Sequence, residues 1–183
     1  MRSPVQKAAF FWAAAALALA SDLATKYAIF ERWLGGDALR RSMEGASSAE
    51  MQYALAAQDG VAVVGGFFHL QPQINTGVVW GMLGSWPGVV LMVGALAAAA
   101  VIFYFYRWSG GTRMEAIGLG LILGGALGNI YDRALYRYVR DFLDLTIAGY
   151  RWPTFNVADS AICVGAVLLA MACLVAPRGD KTA

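Results

Sequence analysis

Residues 124–160 read GGALGNIYDRALYRYVRDFLDLTIAGYRWPTFNVADS and lie between two long apolar runs. Within this stretch stand Asn129, Asp132, Arg133, Asp141, Asp144, Asn156 and Asp159. An ionisable side chain in a membrane segment is costly to hold in hydrocarbon. Such groups turn to a protein interior or a wet cavity, and by default they mark a functional site. Three roles compete for these carboxylates: chemistry, ion movement, or helix–helix glue.

The surrounding composition narrows the choice. With 59% hydrophobic and 14% charged residues among 183, the chain is too apolar for an ordinary soluble domain. Its length suits one integral membrane domain over 1–183. The net charge of +2 and scattered arginines give no nucleic-acid face. Cys163 and Cys173 stand ten apart in the last apolar run. That spacing fits no metal motif and is too wide on a helix for a disulfide, so they read as small packing residues. One histidine, His69, leaves no multi-histidine site, and neither metal nor cofactor is expected.

A membrane-spanning helix takes about 20 residues. Four runs qualify, at about 8–30, 86–106, 115–136 and 157–176. The first imitates a secretory signal, with Arg2 and Lys7 before an alanine-rich core and Ala18-Leu19-Ala20 resembling a cleavage site. Its helical pattern continues through Leu23, Tyr27 and Phe30, so it reads as a retained span. Short basic segments hold Arg2 and Lys7, then Arg107 and Arg113 around Ser109-Gly110-Gly111, then Arg178 and Lys181. These should face the cytoplasm, which puts both termini inside.

The first outer loop, 31–85, has two parts. Residues 37–59 form a polar, alanine-rich insert that reads equally as a short surface helix or two, or as a flexible excursion. From Val61, VAVVGGFFHLQPQINTGVVWGML favours short strands and turns. The expected fold is thus an all-α membrane protein of four transmembrane helices, with a small extracytoplasmic β-rich element on the membrane surface. His69, inside that element, reads as a structural hydrogen-bonder.

Helix rise sets depth. At about 1.5 Å per residue from the inner end, Asp22 lies roughly 21 Å up the first span and Lys26 roughly 27 Å up. Asn129 lies roughly 21 Å up the third span, with Asp132 and Arg133 a turn higher. Asn156 and Asp159 open the fourth span from outside, and Asp141 falls just past the outer end of the third. Polar groups from separate spans therefore gather at one level near the outer face.

Each has a structural reading too. Asp22 and Lys26, four apart, can pair on one helix face. Asp132 and Arg133 can bond across helices, and Gly120, Gly124 and Gly128 make a small-residue stripe for close packing. Asn156 and Asp159 suit an N-cap and its third helical residue. Asp141 resists such a reading, because a carboxylate at a helix C-terminus opposes the dipole.

At these residues the chain resembles the lipoprotein signal peptidases (signal peptidase II), bacterial membrane aspartyl proteases. Ser21-Asp22-Leu23-Ala24-Thr25-Lys26 matches the family's first-span motif, and Asn75-Thr76-Gly77-Val78-Val79-Trp80 resembles its Asn-x-Gly motif. Residues 124–133, GGALGNIYDR, match its third-span signature. Val139-Arg140-Asp141-Phe142 and Phe155-Asn156-Val157-Ala158-Asp159-Ser160 match the segments supplying its catalytic pair. The resemblance implies a dyad of Asp141 and Asp159. It also implies support from Asp22, Lys26, Asn75, Asn129, Arg133 and Asn156, and a structural role for Asp132. Trp80 stands where the family usually has Phe, and the 37–59 insert makes the first outer loop longer than is typical.

The implied substrates are prolipoproteins carrying a diacylglyceryl-modified cysteine, cut just before that cysteine. The enzyme would work in contact with membrane lipid, as a monomer, in the bacterial cytoplasmic (inner) membrane. Its site would lie near the outer face. Two carboxylates can share a proton because like charges so close cannot both ionise, and together they can activate water. The rivals are an ion-coupled transporter using Asp22, Lys26 and Asp132, and a non-enzymatic assembly protein. Transport would spread polar residues through the full membrane depth, with repeats or broken helices; here they cluster.

Overall fold

The fold is described from a computed structural model covering residues 4–33, 45–57, 60–77, 86–108 and 112–175. Trp80, the Ser109-Gly110-Gly111 turn, Arg2, Arg178, Lys181 and residues 37–44 and 58–59 of the insert lie outside the described residues.

Helix α1 runs Pro4–Tyr27 and continues as a π-helical turn, Ala28–Trp33. Helix α2 is Ser48–Ala56, α3 Pro87–Trp108, α4 Arg113–Tyr136 and α5 Val157–Val175. Four of them, all but α2, are long and apolar enough to cross a membrane. Leu17, Leu96, Phe103, Val167 and Leu174 point out of the bundle. Cys163 and Cys173 are free and exposed on α5, so they face outward instead of packing inside as expected.

Lipid tails are as apolar as leucine, so hydrophobic burial alone does not choose which helices pair in a membrane; close approach does. Helix α4 packs against α1, α3 and α5, and its glycines show how. A Cβ on Gly120 would collide with the carbonyl of Phe11, and one on Gly124 with the carbonyl of Ala15. On the opposite side a Cβ on Gly125 would strike the Ala158 carbonyl, and one on Gly118 would sit 2.9 Å from the Gly165 carbonyl. Gly124→Val should therefore push α1 from α4 and lower the melting temperature in detergent by several degrees, at about 1–3 kcal/mol for overpacking. Gly88→Ala, with nothing within 4 Å, should leave it unchanged. Equal melting of the two variants would contradict this account.

Beyond the bundle lies one antiparallel sheet, ordered β1 (Val61–Val64), β2 (Phe68–Asn75), β3 (Val139–Ile147), β4 (Tyr150–Arg151). The sequence places strands only in 61–83, with Asp141 at a helix end. The structure instead puts Asp141 within β3, between β2 and β4. Both faces of β3 are covered over its first half, so it lacks the apolar–polar alternation that reveals a half-buried strand. Pro72 is tolerated in β2 because the register with β3 shifts between Leu70 and Gln73, where a ladder donor is dispensable. Ala148 and Gly149, both with positive φ (50° and 81°), close the β3–β4 hairpin as a two-residue turn of opposite hand.

The second half of the insert is an ordered helix. Ser47 and Glu50 form a reciprocal capping box that starts α2. Leu55, fully buried, joins Phe30, Ile74 and Phe142 in a core between sheet and helices.

Candidate active site

The site grows from α4. Asn129 and Asp132 are three apart, share a face and are both buried. Asn129 Nδ2 donates to Asp159 Oδ1 at 2.8 Å, while its Oδ1 accepts from Lys26 Nζ and from Asn156 Nδ2, each at 3.2 Å. Asn156 Nδ2 also donates to Asp141 Oδ1 at 2.7 Å. Two side-chain amides thus bridge the two carboxylates. Asn75, from the end of β2, adds a further side-chain hydrogen bond to Asp141.

Chain connectivity explains how the carboxylates meet. Phe155 leads into α5 and pairs with β3: its carbonyl accepts from Leu143 N at 2.8 Å, and its N–H donates to the Leu143 carbonyl at 3.1 Å. This bridge delivers Asn156 beside Asp141. Asp159 then lies in the first turn of α5, where its N–H donates to Asn156 Oδ1 at 2.9 Å and its Oδ2 accepts from Asn156 N at 3.3 Å. Capping therefore occupies Asn156 Oδ1 and Asp159 Oδ2. It leaves Asn156 Nδ2 and Asp159 Oδ1 for the cluster, so the structural and functional readings coexist.

Asp141 is 3% exposed. Burial, and next the negative charge of Asp159, push its carboxyl from an ordinary 3.8 up to about 7, against the hydrogen bonds from Asn156 and Asn75. Asp159 is less covered, so the pair opens on its side.

Asp22 and Lys26 form the i, i+4 pair at 2.7 Å, both fully buried. Each also does more. Asp22 Oδ1 accepts from Ala158 N at 2.9 Å, holding the start of α5. Lys26 Nζ stands 3.2 Å from Asp132 Oδ2 besides its bond to Asn129. Asp132 and its neighbour Arg133 part company. Asp132 holds Lys26 and Arg140, whereas Arg133 Nη2 donates to the Gly77 carbonyl at 2.8 Å. Gly77 N in turn donates to Asn75 Oδ1 at 3.0 Å. Among the described residues, the buried side-chain atom without a hydrogen-bond partner is Arg133 Nε.

Two polar residues stand apart. Asp144 is buried in a two-point ion pair with Arg151, at 2.9 and 2.6 Å. His69 pairs with Asp144 across β2 and β3, on the sheet face opposite to Asp141. All eight positions singled out from sequence are drawn into one linked network at one end of the bundle. What sequence reading missed is Arg140, whose partner Asp132 lies eight residues earlier on a different element.

Residues 14–175 match the family model described as signal peptidase (SPase) II, peptidase family A8. The chain is 46% identical to a lipoprotein signal peptidase of Janthinobacterium sp. (strain Marseille) over 105 residues, covering 56% of this chain and 64% of that one. It is 36% identical to the lipoprotein signal peptidase of Bacillus subtilis (strain 168) over 109 residues, covering 60% and 71%. The match thus spans just under two thirds of the first of these relatives. Two bacterial membrane enzyme structures obtained by the in meso method, at 2.3 and 1.9 Å resolution, superpose with TM-scores of 0.71 and 0.68 at 26% identity. They cover 93% and 89% of this chain and 92% and 91% of their own. A four-span bundle with a surface sheet, two amide-bridged aspartates, and a family match across nearly the whole chain converge on one assignment: this protein belongs to the signal peptidase II family.

Proposed function

We propose that the chain is a membrane aspartic endopeptidase that removes signal peptides from diacylglyceryl-modified prolipoproteins. It cuts immediately before the lipidated cysteine. The observation that carries this reading is the pair Asp141 and Asp159, on different elements yet joined through Asn129 and Asn156. Below about pH 7 the pair holds a proton, because burial and the neighbouring charge raise the Asp141 carboxyl to about 7. The ionised partner takes a proton from water as it attacks the scissile carbonyl; the other donates to the carbonyl oxygen and then helps the amine leave. Titration belongs to the pair, so neither aspartate is a fixed acid or base.

The remaining residues act as supports. Asn129, Asn156 and Asn75 orient the carboxylates. Asp22 and Lys26 hold α1, α4 and α5 in register. Arg133 shapes the loop after β2, and its free Nε offers a donor to a substrate carbonyl. Short basic segments around the spans favour cytoplasmic termini in the bacterial inner membrane, with the site near the outer face. There the acyl chains stay in lipid while the scissile bond meets water.

The test is cleavage by the purified full chain in detergent of a diacylglyceryl-modified precursor beside its unmodified form. Only the modified precursor should be cut, with mass spectrometry giving the lipidated cysteine as the new N-terminus. Cleavage of both forms alike, or of neither, would remove the proposal.

A further inference from the structure

Arg140 is nearly as buried as the residue it precedes, at 5% exposed. Strand alternation turns its side chain to the sheet face opposite Asp141. There its Nη2 and Nε donate to Asp132 Oδ1 at 2.8 and 3.2 Å, and its backbone N–H donates to Asp132 Oδ2 at 3.0 Å. One carboxylate of α4 thus takes both the side chain and the main chain of this residue. The guanidinium lies 4.5 Å from the Tyr136 ring centre, and Nη1 is 3.7 Å from Glu31 Oε1 on the π-helical turn after α1.

The cross-strand ladder pairs Val139, Arg140 and Asp141 with Asn75, Ile74 and Gln73, which sets the backbone of this segment. Register between β2 and β3 shifts between Leu70 and Gln73, and Gln73 is the residue opposite Asp141. A second tie holds the segment from α4. Asp132 supplies it from one helical turn beyond Asn129, and Asn129 holds Asp159. A single turn of α4 thereby anchors both carboxylates: Asp159 through Asn129, and Asp141 through Asp132 and Arg140.

We propose that Arg140 is a positioning residue of the reaction: its clamp on Asp132 sets where Asp141 stands relative to Asp159. The inference rests on the proposed role of that pair. A planar fork makes the two-point grip, which a lysine ammonium lacks although it keeps the charge. Small displacements of reacting groups are costly, up to about 10²-fold for roughly 1 Å.

Arg140→Lys and Arg140→Met are to be compared with wild type and Asp141→Asn on the lipidated precursor, using the full chain in detergent. Arg140→Lys should lose about tenfold or more in kcat, with KM within about twofold and the pH profile in place. Arg140→Met should lose more. The lysine variant keeps a cation beside Asp132, so it decides the matter if the methionine variant does not fold. Wild-type kcat in Arg140→Lys, whatever its melting temperature, would reduce Arg140 to a stabilising role and overturn the proposal. A displaced pH profile with full maximal rate would overturn it in favour of charge tuning. An inert wild type would remove the peptidase reading itself, and this inference with it; an active wild type beside a fully active Arg140→Lys would remove the positioning role alone.

Discussion

Asp141→Asn and Asp159→Asn are each expected to reduce cleavage of a lipidated precursor by about 10³-fold or more, with the protein still folded. The amide is nearly isosteric and neutral, so it fills the same space but can neither accept the proton of attacking water nor share one. Stability gives the control. The folded state holds the Asp141 proton more tightly than the unfolded chain, because burial and then Asp159 raise its pKa from 3.8 to about 7. This group's favourable contribution is complete below about 3.8, declines as pH climbs to about 7, and has gone above that. At pH 8 Asp141→Asn should therefore melt no lower than wild type, and higher if the charge is the main penalty. Wild-type activity should likewise fall as pH rises past about 7, when the pair loses its shared proton. An Asn variant with wild-type turnover would leave the dyad without support.

Lys26→Met should be the most destabilising single change in the bundle, by about 3–5 kcal/mol, the usual cost of stranding a buried charge. Lys26 Nζ lies 2.7 Å from Asp22 Oδ2 and 3.2 Å from Asp132 Oδ2, and it also donates to Asn129 at 3.2 Å. Asp132 would retain Arg140. Asp22 would keep only the Ala158 N–H, a neutral donor. In a chain of this length the melting temperature should drop by about 10 °C. Adding Asp22→Asn should recover part of that loss, because the stranded charge goes too. Additive single and double variants would mean that the pair is uncoupled, despite its geometry. Activity of Lys26→Met should fall as well, since Asn129 loses one of the contacts that aim it at Asp159.

Both results bear on how the chain reveals itself. The four spans were legible because a length of apolar residues is a one-dimensional property, and the clustering of Asp22, Asn129 and Asp159 followed from rise per residue and the orientation set by the short basic segments. The capping role of Asn156 and Asp159 was also legible, because it is local: donor and acceptor lie three residues apart. β3 was not. Val139–Ile147 mixes Arg140, Asp141 and Asp144 with apolar residues on a strand covered on both faces, so no period of two stands out. The polarity of its hidden side is satisfied by Asp132 and Arg151, partners that no local pattern announces.

The sequence by itself determined that this is a four-span membrane protein with its polar residues at one level, because hydrophobic length and helix rise do not depend on which helices touch. Only the tertiary structure decided which polar atom answers which. That choice depends on how each helix is rotated about its axis and how near its neighbour comes. Contacts such as Gly124 on the Ala15 carbonyl and Gly125 on the Ala158 carbonyl set both quantities. They bring Lys26 between Asp22 and Asp132, and carry Asp141 on a strand to the amide of Asn156.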